Sequence, residues 1–344
     1  MLTPAQFAFF TTATNTMLGA VYDSTPVLYP RFSSTVPSDG DQNVYGWTGR
    51  TPKPRAWYGP RVVNEPAPQT YTLANVPFEN TIKIDRFRLD DARARGDIYW
   101  RTMPDLALQS KRWPDFQMRD LLQAKGVWST TAAQLGLDGV EHWSTNHPVD
   151  FYNASQKNLY GATTYINDFT AGGQSVLYPK PGGGTQSVLT GGGISPQSIA
   201  TIVEYMRGLT AEDGEPIGVT PSMILHPDSM LLEVDLILNR AFFANPTWGQ
   251  VTGQVGAAEN PMRQFKLEGV SWSLLDGDAT TFYVLDTTKA YMPFTWQLRE
   301  APTLAQRTQE NDPIVFDTHQ FLWGYWMRGA AGWDYAFLSA RSGP

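Results

Sequence analysis

The 344-residue chain contains no cysteine. That excludes disulfides, thiolate zinc sites, iron–sulfur clusters and a cysteine nucleophile together. Charge is scarce as well: Asp, Glu, Lys and Arg make up 17% of residues, against ~25% in ordinary soluble domains. The balance is acidic, with 26 Lys+Arg against 33 Asp+Glu and a net charge of -7. A protein that grips nucleic acid by neutralising phosphates needs the opposite sign. No apolar run approaches the ~20 residues of a membrane span, and no basic stretch leads into an apolar one as in a signal peptide. There are only four histidines, none in an HExxH pattern, and His142 and His147 are five apart rather than one helical turn. GxSxG, a GK[ST] phosphate loop, GxGxxG after a strand and an EF-hand loop are all missing. The expectation is no catalytic residue, no cofactor and no metal: not an enzyme.

Aromatics, by contrast, are plentiful, with 12 Trp, 15 Tyr and 17 Phe beside 30 Gly and 25 Pro. So many rings exclude wholesale disorder, and glycine without a three-residue period excludes collagen. Low charge with many rings implies surface that a partner covers. The length predicts two domains or one elaborate one.

Several elements can be read along the chain. Thr3 and Pro4 open a helix over 1–22, with Phe7, Phe10, Met17, Leu18 and Val21 near one face. Residues 23–69 carry eight prolines, too many for ordinary secondary structure to persist, yet also Tyr29, Phe32, Tyr45, Trp47, Trp57 and Tyr58. A solvated linker is poor in rings, whereas an arm laid across another surface uses them. Residues 70–89 read as a hairpin turning at Val76-Pro77, with Ile82 and Ile84 alternating with Lys83 and Asp85. A lone hairpin is marginal and must lean on something. The spacing predicts a long helix over 97–125, kinked or restarted at Pro104 and Pro114. Residues 171–194 are Gly-rich, carry a short QSVL echo, and read as a mobile loop. Ser195-Pro196 starts a helix with Ile199, Ile202, Val203 and Met206 on its core face. A strand over Ile217–Leu225 precedes a helix from Pro227 whose core side is Met230, Leu231, Val234, Ile237 and Leu238. Strands within 265–298 and over 321–338 complete an α+β pattern. Between residues 81 and 116, eight basic side chains interleave with six acids; this is a solvated mixed face or a set of ion pairs between neighbouring chains.

At 44–63 the segment VYGWTGRTPKPRAWYGPRVV resembles the major head subunit of Mu-like tailed phages. The matching positions are Tyr45, Gly46, Trp47, Gly49, Pro52, Lys53, Arg55, Trp57, Arg61 and Val62. TYTLANVPFENTIKIDRF (70–87), GDIY (96–99), WPDF (113–116), LDGVEHWSTNHPV (137–149) and AEDGEPIGVTPSMILHPDSM (211–230) continue the resemblance in order. It implies the Hong Kong 97-type capsid fold. On that basis residues 1–43 are the N-terminal arm and 44–90 the extended E-loop. Residues 91–150 and 290–344 are the peripheral domain with its spine helix, and 151–289 the axial domain with a Gly-rich insertion at 171–194.

The function so implied is a major capsid protein that self-assembles into hexamers and pentamers of an icosahedral shell around phage double-stranded DNA. Inter-subunit contacts are expected at Tyr45, Trp47, Lys53, Arg55, Trp57, Arg61, Ile82, Ile84, Arg86 and Arg88. Expected partners are further copies of itself, portal, scaffolding and decoration proteins, and packaged DNA contacted non-specifically, with no membrane. No scaffold-like helix precedes Thr3, so scaffolding is expected from a separate chain. The expected location is the virion capsid, assembled in the host cytoplasm. Lys53, the only lysine before Ile82, gives no basis for a covalent cross-link. The alternatives are another virion component, such as a tail-tube or decoration protein, and a carbohydrate-binding protein, because exposed Trp and Tyr also stack on sugars.

Overall fold

The structure, a computed structural model, describes residues 4–47, 54, 56–61, 69–85, 98–123, 136–149, 164–170, 175–179, 185–189, 193–211, 215–243, 258–309 and 311–343. The helices among them are α1 (Pro4–Ser24), α2 (Ile98–Leu122), α3 (Pro196–Arg207), α4 (Leu231–Asn239) and α5 (Pro313–Thr318). The strands are β1 (Ser33–Pro37), β2 (Gln42–Trp47), β3 (Gln69–Ala74), β4 (Val76–Asp85), β5 (His147–Pro148), β6 (Thr164–Tyr165), β7 (Ser175–Pro179), β8 (Thr185–Leu189), β9 (Met223–His226), β10 (Phe242–Phe243), β11 (Ala258–Glu259), β12 (Glu268–Ser271), β13 (Phe282–Leu285), β14 (Phe294–Arg307), β15 (Gln320–Trp333) and β16 (Ser339–Ser342). None of these helices is long and apolar enough to cross a membrane.

Two four-stranded sheets organise the chain. The first has the order β1-β14-β15-β4, with the two long strands β14 and β15 antiparallel at its centre. β1 lies parallel to β14 on one edge, and β4 antiparallel to β15 on the other. The second has the order β12-β9-β13-β16. All four residues of β9 (MILH) and of β13 (FYVL) are buried, as expected of unbroken apolar runs covered on both faces. α3 packs with β13 in one core, where Ile199, Ile202, Val203 and Met206 meet Ile224, Phe282 and Val284. Its start is fixed by Ser195, whose Oγ accepts from the Ser198 N–H while the Ser198 Oγ accepts from the Ser195 N–H. A second core joins Phe32, Trp143, Trp272, Trp296 and Trp333 to Met118 and Leu121 of α2. A third joins Leu18, Ile84, Met103, Leu106, Phe321 and Trp323.

Five expectations are corrected. α2 runs as one helix through Pro104 and Pro114, so it is not restarted at either. Each proline costs ~3 kcal/mol, but the helix buries Met103, Leu106, Met118, Leu121 and Leu122, worth ~1.5–3 kcal/mol apiece. The 70–89 hairpin does not form: β3 pairs with β2, while β4 pairs with β15. Asn75 is the junction. Its backbone N–H donates to Asp41 O at 2.8 Å, its Nδ2 to Ser38 Oγ and Gly40 O, and its Oδ1 accepts from Gln297 Nε2 at 2.7 Å. With its N–H and both side-chain polar atoms committed, it steers the chain from one sheet into the other. The Pro-rich 23–69 stretch contains β1 and β2, so regular structure does persist in part of it. Finally, the SVL of each QSVL echo lies on β7 or β8, which pair antiparallel with Val176 opposite Val188. Of the strand expected over 217–225, only β9 at its C-terminal end is regular.

Candidate assembly surface

β2 and β3 form a two-stranded stem, with Tyr45 opposite Tyr71. The two rings stack 5.3 Å apart, 22° from parallel. Both are tied to the large sheet. The Tyr45 hydroxyl donates to Gln297 Oε1 at 3.0 Å, and the Tyr71 hydroxyl donates to the Trp333 carbonyl. Gln297, fully buried in β14, also donates through Nε2 to Leu73 O at 3.1 Å. Leu73 is itself fully buried. Trp47 sits edge-on to Tyr335 at 5.0 Å and tilts against Phe337 at 6.2 Å. Gly332 makes this approach possible: a Cβ there would stand 2.7 Å from Leu73 Cδ2.

Beyond the stem the character changes. Trp57 is 69% and Tyr58 88% exposed. The Trp57 indole N–H donates to Gly59 O at 2.8 Å, and the Arg61 guanidinium lies 5.1 Å from the Trp57 ring centre. Gly59 has φ +88°, a left-handed conformation that favours glycine. The tip is therefore ordered locally yet uncovered.

The expected contact residues divide accordingly. Trp57 and Arg61 lie on open surface. Tyr45 and Trp47 are held by their own chain. Ile84 is 3% exposed beneath α1 and α2, and Ile82 packs against the same core, so Ile84 has no surface left for a neighbour. Lys53, Arg55, Arg86 and Arg88 lie outside the described residues. From the mixed-charge band, Lys111 Nζ rests 4.4 Å from the Tyr22 ring and Arg112 5.7 Å from Phe116.

A second apolar patch escaped the sequence reading. Leu231, Leu232 and Leu236 of α4 are 49%, 75% and 52% exposed, while Val234, Ile237 and Leu238 face the core. Leu231 thus lies outside rather than inside. The signal was present in LLEVDLILN, apolar nearly all round, which a helix covered on one side cannot bury.

A buried polar network joins 136–149 to 164–170 and the C-terminal strand. His147 Nδ1 meets Asp138, and its Nε2 faces His142 O at 2.9 Å and Asn167 Oδ1 at 3.1 Å. His142 Nε2 lies 2.8 Å from Ser339 Oγ. Burial pushes the His142 imidazole well below its ordinary range, so it is neutral. A Ser–His pair is thereby assembled, but Ser339 is 1% exposed and cannot meet a substrate. Burial alone would raise Asp168, but Arg341 at 2.6 Å and Thr170 outweigh it and hold its carboxyl below the usual range. Burial raises Asp115, whose carboxylate accepts the backbone N–H groups of Tyr29 and Leu28. No group of three His, Asp or Glu able to hold a metal occurs among the described residues.

The family described as Mu-like prophage major head subunit gpT matches residues 7–170 and 257–343, well over half of the chain. The major capsid protein of Escherichia phage Mu is 22% identical over 292 residues, covering 71% of this chain and 93% of that protein. In fold the chain is similar to the procapsid of bacteriophage JBD30, with TM-score 0.51 and 20% identity over 100% of this chain and 76% of that one. It is similar also to the JBD30 capsid decorated with minor capsid protein trimers, with TM-score 0.50 and 20% identity over 73% and 91% of the two chains.

Proposed function

This chain belongs to the Mu-like prophage major head subunit family, and from that premise we propose how its surfaces build a shell. It is a major capsid protein of a phage head, carries the mixed α and β Hong Kong 97-type fold, and assembles with itself into an icosahedral capsid. The family is a structural one.

The observation that carries the assembly reading is the contrast within 42–74: a stem fastened to its own chain presents Trp57 and Tyr58 bare. Residues 44–90 act as the E-loop and reach a neighbouring copy through Trp57 and Arg61, with Lys53, Arg55, Arg86 and Arg88 on the same loop. Tyr45, Trp47, Ile82 and Ile84 serve that contact indirectly, by holding the loop's root. A buried ring removes roughly 150–250 Å² from water, about 5 kcal/mol gross at ~25 cal/mol/Å². Most of this is offset by association and ordering, so each contact is weak and closure sums many. Residues 1–43 serve as the arm, 91–150 with 290–344 as the peripheral domain, and 151–289 as the axial domain. Hexamers and pentamers are the building blocks, with portal and separate scaffolding chains as further partners. By likeness to the decorated JBD30 capsid, a minor protein is a decoration partner. The acidic wall contacts packaged double-stranded DNA non-specifically, assembly takes place in the host cytoplasm, and the chain performs no catalysis.

Electron microscopy of the purified chain under assembly conditions is expected to show capsomers or closed shells. A strictly monomeric boundary in sedimentation at the same concentration would overturn the reading.

A further inference from the structure

Where the stem meets the body, a cavity of about 150 Å³ opens between 136–149, the end of β15 and the root of the E-loop. Trp47, Tyr165, Tyr291 and Tyr335 line it, together with Asp138 and Asp334. The rings are set as walls rather than as a stack: Tyr291 and Tyr335 have centroids 4.6 Å apart at 57°, and Trp47 and Tyr335 5.0 Å apart at 75°. The two acids differ. Asp138 is already engaged by His147 and by the Val140 N–H. Asp334 receives only the Thr295 hydroxyl at 3.1 Å, and among the described residues no Lys, Arg or His pairs with it. The titratable groups that face it are the tyrosines Tyr45, Tyr71 and Tyr335, from β2, β3 and its own segment. A cavity of ~150 Å³ admits a molecule the size of benzene. Ring walls attract a cation within ~6 Å of their faces, and the carboxyl lacks a counter-charge.

We infer that this cavity is a binding site for an organic cation, an alkylammonium or guanidinium group seated among Trp47, Tyr291 and Tyr335 against the Asp334 carboxylate. The same chemistry has two sources, a free diamine or the basic side chain of another protein chain in the particle. The site is independent of the E-loop tip contact. It also predicts its own pH dependence. Burial holds the Asp334 carboxyl up to about 7, so it is neutral in acid and offers no charge to a cation. Binding is strongest above pH 7 and weakens by up to about tenfold for each pH unit below it.

The test is titration of the full-length protein with 1,4-diaminobutane and with a blocked lysine amide, followed by Trp fluorescence and calorimetry at pH 5 to 8, with 1-butanol as neutral control. Expected are binding of both cations but not of butanol, at least tenfold weaker binding in Asp334→Asn with loss of the pH slope, and weaker binding in Tyr291→Leu. Repeating the diamine titration on assembled particles separates the sources: retained binding identifies a free cation, and binding to subunits alone identifies a side chain supplied by a neighbour. No saturable binding to subunits at millimolar cation, or equal binding by Asp334→Asn, would overturn the inference. Micrographs of the same preparations report shell formation separately, so failure of the site is distinguishable from failure of assembly.

Discussion

The root and the tip of the proposed E-loop are built from the same kinds of residue and behave in opposite ways. At the root, Tyr45, Tyr71, Leu73 and Trp47 are engaged by Gln297, Trp333, Tyr335 and Phe337 of their own chain. At the tip, Trp57 and Tyr58 meet little beyond Gly59 and Arg61. The difference lies in what the rest of the chain supplies. The root lies over the end of a long sheet strand where Gly332 permits close approach, and Trp57 and Tyr58 stay exposed. Aromatic content in a Pro-rich segment therefore marks two roles, intramolecular anchoring and surface offered outward, and only position relative to the sheet separates them.

The comparison can be sharpened by three variants. The largest effect is expected at the root: Leu73→Ala removes a fully buried side chain and should cost about 2–5 kcal/mol of stability in denaturant melts of the soluble subunit. An unchanged midpoint would mean that the root is not anchored. The next concerns Asp334 beside the root. Its carboxyl, raised by burial from 3.8 to about 7, is protonated more readily in the folded chain than in the unfolded one. Its contribution is thus full below pH ~4, declines as pH climbs to about 7, and is level beyond. Asp334→Asn should match the parent near pH 4 and exceed it at pH 8, by on the order of 2 kcal/mol once residual solvent screening is allowed for. Identical pH profiles for the two proteins would refute the assignment. The smallest effect on folding is expected at the tip. Trp57→Ala with Tyr58→Ala should shift subunit stability by less than about 0.5 kcal/mol yet raise the concentration needed for assembly, measured by light scattering. A stability loss equal to that of Leu73→Ala would erase the distinction between the two regions.

Local signals in the sequence were legible where the determinants are local. The Ser195 cap and the spacing of Ile199, Ile202, Val203 and Met206 placed α3 closely, and the family resemblance identified the fold class. Strand partners were not legible. The alternation of Ile82 and Ile84 marks a strand, but nothing in 70–89 announces that β4 pairs with Gln320–Gly329 rather than with β3. That choice is made by Asn75 and by Gln297, residues far apart in the chain. The cavity was equally hidden: Trp47 was noticed as a ring in an arm, but Asp334 and Tyr291 come from distant segments and acquire meaning only when brought beside it. The continuous α2 shows the converse, a helix that proline would restart carried through by tertiary burial.

The order of strands in the large sheet has a bearing on synthesis. Its two edges, β1 and β4, come from the first quarter of the chain, and its two central strands from the last. A ribosome that has translated residues 42–85 has not yet made the central strands on which they rest, and the edge strands must wait for pairings of high sequence separation, which are slow to close. The edge strands of each subunit thus reach their central partners only once almost all of its polypeptide has been synthesised.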